Sequence, residues 1–266
     1  MVTSEPVGLL VRRWRQRRNR SQLDVALAAN LSTRHLSCIE TGRATPSRNM
    51  IERLCDELDV PLRERNALHL AAGFAPAHPE RPLADLGAAR TAVEAVLAGH
   101  EPSPALAVNV RWELLAANRA ATAFFAGLPA TLLTPPVNVL RATLHPEGLA
   151  PRIRNLTQWR AHVLRRLRRQ LARTAAEGLA ELLADLESYP APSALPEEES
   201  QDDLAVPLLL TSDQGDLAFL YTTTVFGSPR DVTLDEIAVE TFFPADDTTA
   251  GVLESMAPVR RRARSL

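Results

Sequence analysis

The stretch from Ser21 to Gly42 limits what this chain can fold into more than any other part of it. Two short segments with helical apolar spacing flank a break that leaves room only for a tight turn. Ser21 is a good N-cap for a helix over 22–29. Asn30 then stands where φ > 0 is often required, a demand that Gly meets most easily and Asn next. Ser32 caps another helix ending near Glu40, and Gly42 supplies its stop. Val25, Leu31, Leu36 and Ile39 are spaced to pack the two helices across the turn. Ala26 is small where the helices must approach closely. The spacing leaves Thr33, Arg34, Ser37 and Cys38 outward on the second helix.

The flanking residues extend this pair into an all-α domain over 1–74. Further helices are expected over 7–18, 48–58 and 62–71, the last opening at Pro61 and closed by Gly73. On the first of these, Leu10, Val11 and Trp14 share one face, and Arg12, Arg13, Arg15, Arg17 and Arg18 spread around the other. The outward groups of the Ser32–Glu40 helix are short or hydrogen-bonding, which suits them to reaching base edges in a DNA groove. A net charge of −2 would seem to oppose a polyanionic partner. The charge is unevenly distributed, however. Residues 1–72 carry 12 Arg against 8 carboxylates, a net +4, and residues 73–266 carry 18 Arg against 24 carboxylates, a net −6. The basic footprint is local and lies at the front of the chain.

The Ser-Gln opening, Ala26, Leu31-Ser32 after the turn and the closing Ile39-Glu40-Thr41-Gly42 resemble the Xre/Cro-type helix-turn-helix family. Asn30 stands where that family usually has Gly, and Cys38 where a longer polar side chain is common. The resemblance implies double-stranded operator DNA as partner, bound by a homodimer. It places Thr33 and Arg34 near base edges, and Gln22, Ser37, Thr41 and Arg43 near phosphates. Ser32, His35 and Cys38 complete the candidate DNA-facing set. Arg34 is the side chain here able to read guanine O6 and N7 together.

A Pro-rich break over 75–82 leads to a connecting helix over 86–99, so 75–104 reads as linker. From Ala105 the period changes. Leu106, Val108 and Val110 alternate with smaller or polar residues, Arg111-Trp112 turns, and residues 113–116 return as a second strand. Asn118 caps a short helix through Phe125. Three more strands are expected over 204–211, 217–225 and 237–243, with turns at Asp213-Gln214-Gly215-Asp216 and Gly227-Ser228-Pro229. Between the second and third strands lies a helical insertion. There Ile153, Leu156, Trp159, Val163, Leu167 and Leu171 form one stripe, and Arg160, Arg165, Arg166, Arg168, Arg169 and Arg173 read as a solvated or dimer-facing surface. Another helix over 177–186 precedes an acidic, Pro-rich loop over 189–203. The fold class is α+β: a five-helix domain, then a PAS-like domain over 105–250 with a five-stranded antiparallel sheet and inserted helices. Residues 251–266 read as a tail, with Arg260 to Arg264 as its basic end.

Leu115-Ala116-Ala117-Asn118-Arg119-Ala120, the run from Asn138 to Gly148, and Phe242-Phe243-Pro244-Ala245-Asp246 resemble the C-terminal ligand-binding domain of MmyB-like regulators. That resemblance implies a pocket between sheet and helices for a small apolar ligand such as a fatty acid. Phe124, Phe125, Leu140, Leu144, Trp159 and Val163 are the candidate apolar lining. Asn138, Arg141, His145 and Asn155 are candidates for the few polar groups that fix orientation. The same residues read equally as an ordinary filled core.

Gly-rich phosphate loops, Gly-x-Ser-x-Gly elbows and Glu-flanked His pairs are missing from the sequence. His35 and Cys38 have a metal-compatible spacing but supply two ligands where a site needs more, so no metal, no cofactor and no enzymatic activity are expected. Met1 to Gly8 lacks the pattern of a secretory signal, and no apolar run approaches a membrane span. A cytoplasmic protein with no membrane partner is the expectation. The competing reading is an antitoxin-like regulator whose second domain docks a protein partner.

Overall fold

The computed structural model describes residues 5–190 and 205–256. Most of the expected acidic loop, Leu204 at the head of the third expected strand and the basic tail from Arg260 lie outside the described residues. The chain divides into two compact units. One is Met1–Pro82 with Ala172–Thr174 and Gly227–Asp235; the other is Leu83–Leu171 with Ala175–Phe226 and Glu236–Leu266.

The first unit contains α1 (Val7–Arg17), α2 (Gln22–Ala28), α3 (Thr33–Glu40), α4 (Arg48–Glu57) and α5 (Leu62–Ala71). Local chemistry starts and stops these helices. Ser21, Ser32 and Ser47 each accept a hydrogen bond from the backbone N–H three residues on, at 3.1, 3.1 and 3.3 Å. Asp24 returns the bond to Ser21 and completes a capping box. Asn30 has φ 53° and Gly42 φ 74°, the left-handed conformations expected of them. Val25, Leu36, Ile39, Ile51 and Leu54 are buried between the helices, each such side chain contributing about 1.5–3 kcal/mol relative to exposure. Helix α1 crosses α3 so closely that a Cβ on Gly8 would lie 2.1 Å from the Ile39 carbonyl oxygen.

Arg15, Arg18 and Arg20, at α1 and its exit, are less solvated than their spacing implies, whereas Arg12 and Arg13 are exposed. Arg18 Nε donates to the Leu58 carbonyl at 2.7 Å, and Arg20 donates to the Glu57 carbonyl at 2.9 Å. They satisfy carbonyls at the end of α4, where cations are also favoured by the helix dipole. Arg15 turns inward, as described below.

The second unit opens with α6 (Ala88–Gly99), β1 (Ala105–Val108) and β2 (Leu114–Ala117). Helices α7 (Arg119–Phe125), α8 (Ala130–Leu133), α9 (Val139–Leu144), α10 (Leu156–Thr174) and α11 (Leu179–Ser188) follow. Then come β3 (Leu208–Ser212), β4 (Gly215–Val225), β5 (Ala238–Pro244) and α13 (Asp247–Met256); α12 (Val232–Glu236), between β4 and β5 in the chain, is grouped with the first unit in all but Glu236, as are the last three residues of α10. The strands form one antiparallel sheet in the order β2-β1-β5-β4-β3. The helical insertion falls between the second and third strands, as the sequence predicts.

Three local differences have physical causes. Helix α6 belongs with the sheet unit, because Val93 and Leu97 on one of its faces are buried there. Residues 247–256, largely assigned to the tail, form α13; Asp246 accepts from the Thr249 N–H at 2.7 Å and Leu253 is buried in the core. The β1–β2 connection is an Asx turn, in which Asn109 Oδ1 accepts from Arg111 N–H at 2.9 Å and Glu113 N–H at 3.0 Å. It leaves Trp112 at φ 64° with its ring buried, a conformation uncommon for a bulky residue that packing must hold. Its Nε1 donates to Gln170 Oε1 at 2.8 Å.

Candidate functional site

Helix α3 presents its side chains as the capped geometry dictates. Leu36 and Ile39 point inward, whereas Arg34 and His35 are exposed and Thr33, Ser37 and Cys38 are half-buried. Arg34 and Arg43 are exposed as well as charged, and neither side chain makes an ion pair or hydrogen bond among the described residues. Ser32 is committed to its cap. Thr41 turns its hydroxyl back to donate to the Ser37 carbonyl at 2.8 Å, which leaves its oxygen lone pairs outward.

Gln22, expected near a phosphate, is half-buried. Its Nε2 donates to Glu40 Oε2 at 2.8 Å. Glu40 is 3% exposed, and a buried carboxylate must fill its acceptor sites. Arg15 supplies a bidentate pair to it, Nε at 2.7 Å and the terminal nitrogen at 2.9 Å. Burial alone would push the Glu40 carboxyl up. The bonds from Arg15 and Gln22 and the charges of Arg15 and Arg12 outweigh it, so the carboxyl lies below its ordinary value. This cluster ties α1, the start of α2 and the end of α3 together.

The sheet unit holds a cavity of about 90 Å³. Phe124 and Phe125 of α7, Leu140 of α9, and Trp159 and Val163 of α10 line it, so these expected lining residues are brought together. The other expected residues stand elsewhere. Asn138 caps α9, accepting from Leu140 and Arg141 N–H at 3.2 and 3.1 Å, and donates to the Arg111 carbonyl at 2.8 Å. Arg141 pairs with Asp185 at the surface at 2.7 Å. His145 accepts from the Glu147 N–H at 3.1 Å and packs edge-on against Tyr189. Asn155 grips β3, donating to Pro207 O at 2.8 Å and accepting from Leu209 N–H at 3.1 Å. Leu144 is buried in the core outside the cavity wall. Asn138, His145 and Asn155 are thus taken up by backbone atoms that tight turns leave unpaired, and Arg141 by a carboxylate.

The polar end of the cavity is instead made by His162 and Arg166 of α10, Tyr221 of β4 and Glu240 of β5. Arg166 sits among the arginines expected on a solvated face, yet it turns inward. It holds Glu240, itself 3% exposed, through bonds of 2.9 and 2.6 Å, and reaches Thr223 Oγ1 at 2.7 Å. Its guanidinium carbon lies 4.6 Å from the Trp112 ring centroid and 5.4 Å from that of Tyr221. Burial pulls the Arg166 guanidinium down, but the bonds and charge of Glu240 outweigh it, so the guanidinium lies above its ordinary value. Burial raises the Tyr221 phenol. Tyr221 hydroxyl and His162 Nε2 are hydrogen-bonded to one another. His162 and Arg166 follow Trp159 at helical steps of three and seven, which puts them on its face; Tyr221 and Glu240 each stand two residues from Phe219 and Phe242 on their strands, which puts each pair on one face. Those spacings were the available signal. Helix α10 also donates from Arg160 to the Leu186 and Glu187 carbonyls at 3.1 and 2.9 Å.

Among the described residues no group of His, Cys, Asp or Glu side chains could hold a metal ion. No helix among them is long and apolar enough to cross a membrane.

Comparison with known families assigns both units. Residues 6–68 match the helix-turn-helix domain, and residues 89–256 match the MmyB-like transcription regulator ligand binding domain. Comparison with curated proteins gives no match. With a DNA-reading head in front and most of its length in the matched sensor domain, this chain belongs to the MmyB-like transcription regulators.

Proposed function

We propose that this regulator binds operator DNA as a homodimer through α3 and that a small apolar ligand, a fatty acid or a similar molecule, enters the cavity of the second unit and changes its affinity for DNA. The single observation that carries the ligand reading is the cavity itself, walled by Phe124, Phe125, Leu140, Trp159 and Val163 inside the ligand-binding domain. Binding pockets are concave and mostly apolar, with a few placed polar groups. For the head, exposed Arg34 is the base-reading residue and Thr33 its neighbour at the groove floor. Ser37, Thr41 and Arg43 approach the phosphates. We read the chain as a binding protein and not as an enzyme, acting in the cytoplasm where its DNA lies.

A cavity of about 90 Å³ is smaller than the engineered cavity of roughly 150 Å³ that accepts benzene. A long acyl chain therefore enters only as the surrounding helices part. A ligand that prefers the parted arrangement shifts the population towards it, and only that difference in affinity can do work on DNA binding.

Native mass spectrometry of gently purified protein, followed by thermal melts with added fatty acids, tests the ligand reading. A retained apolar molecule or a raised melting temperature supports it; neither outcome with any apolar ligand sinks it. Operator selection followed by gel-shift titration tests the head, and unchanged sequence preference in Arg34→Ala would remove the base-reading assignment.

A further inference from the structure

The chemistry of the cavity's polar end narrows the ligand class. Arg166 is the guanidinium that lines the cavity among the described residues. Both of its arms are spent on Glu240, one also on Thr223. A ligand carboxylate reaching for Arg166 would face the Glu240 charge, and displacing Glu240 would leave a carboxylate buried and unpaired, which is strongly unfavourable. A cationic ligand fares no better, because the guanidinium already lies over the Trp112 and Tyr221 rings. Tyr221 and His162 satisfy each other.

Among the described residues, one buried polar atom of the cavity lining stays outside this closed set. Trp159 is 5% exposed, lines the cavity, and its Nε1 is buried with no hydrogen-bond partner in the protein. An indole N–H donates only, and a buried donor left unmatched is costly. Its complement is a hydrogen-bond acceptor on an otherwise apolar molecule. The rings of His162 and Tyr221 hold the indole in place, stacked at 5.6 Å and edge-on at 5.4 Å between centroids.

We infer that the cavity, once its helices part, selects an uncharged molecule bearing a hydrogen-bond acceptor, such as a carbonyl or ether oxygen, which takes the Trp159 Nε1–H, and that it discriminates against free carboxylates. This inference rests on the ligand-sensor reading and, within its apolar class, puts an uncharged ester, ketone or ether in place of the free fatty acid.

Isothermal titration of the full-length protein near neutral pH tests it with three probes of nearly equal shape: acetophenone, ethylbenzene and benzoate. Decanoate serves as the fatty-acid arm. Acetophenone should bind about 5–10-fold more tightly than ethylbenzene, the scale of one buried hydrogen bond. It should bind at least about tenfold more tightly than benzoate. Trp159→Phe should bring acetophenone to the level of ethylbenzene while leaving ethylbenzene within about twofold. Glu240→Gln frees the charge of Arg166 and should bring benzoate up at least about tenfold relative to acetophenone. If Trp159→Phe does not fold, the wild-type order and Glu240→Gln still decide the matter. Carboxylates binding as tightly as acetophenone would overturn the inference and leave the ligand-sensor reading standing. An acetophenone preference that survives in folded Trp159→Phe would overturn it too. If no probe binds and decanoate does not either, both readings fall.

Discussion

Removing the Glu40 carboxylate is the sharpest test of how the reading head is held together. In Glu40→Ala the bidentate pair with Arg15 and the bond from Gln22 are lost together. Truncating one partner of a buried ion pair costs about 3–5 kcal/mol, because the other charge stays behind. Arg15 is 13% exposed and keeps a bond to the Arg20 carbonyl at 2.9 Å, so the low end, about 3 kcal/mol, applies. A domain of this size loses about 4–8 °C in melting temperature per kcal/mol, so the transition should fall by about 12–24 °C. Scanning calorimetry of the full-length protein measures it, and the transition that operator DNA raises belongs to the head. The pH dependence supplies an internal control. The Glu40 carboxyl lies below its ordinary value in the folded state. Its contribution is therefore complete above the unfolded pKa of about 4.3 and is lost as pH falls below that towards the depressed folded value. The gap between wild type and Glu40→Ala should hold steady from neutral pH down to about pH 5 and shrink in stronger acid. A fall under about 4 °C, or a gap that ignores pH, would refute this account of the cluster.

Other substitutions probe separate features. Arg34→Ala should cost about 1–3 kcal/mol at the base pair it reads and flatten preference there, whereas Arg43→Ala should weaken all sequences alike and reduce the salt slope by about one; titrations at several salt concentrations separate the two. In Gly8→Ala the new Cβ would fall 2.1 Å from the backbone oxygen of Ile39, so α1 must move off α3; thermal melts should show a loss of about 1–3 kcal/mol or more. Burial pushes the Cys55 thiol up to about 12, so iodoacetamide near pH 8 should label the half-buried Cys38 and spare Cys55 until the protein unfolds. Peptide mass spectrometry reads the labelling, and early modification of Cys55 would show that the α4 core opens more readily than its packing implies.

The head was legible in the sequence because short-range physics builds it. A serine cap, a residue able to take positive φ and a stop glycine each act within a few residues. Ser21, Asn30, Ser32 and Gly42 do in the structure what their positions predict. The alternating strands and the α10 stripe were legible for the same reason. The carboxylate of Glu40 was recognised there only as part of a pattern, since its partners Arg15 and Gln22 come from other helices.

The cavity is another matter. Asn138 and Asn155 have the composition of ligand-fixing groups, but they pair with backbone atoms that neighbouring turns leave open. Arg166 and Glu240 have the composition of solvated surface, but helix α10 lies against β4 and β5 so that the partly buried guanidinium neutralises an almost wholly buried carboxylate. Whether a charge faces solvent or a buried partner depends on residues 74 positions apart meeting, and nothing local encodes that meeting. The sequence alone determined that a capped helix pair stands ready to read DNA and that a mixed helix-and-sheet domain follows it. Tertiary packing alone decided which polar groups face the cavity, because burial and pairing are properties of contacts between distant segments.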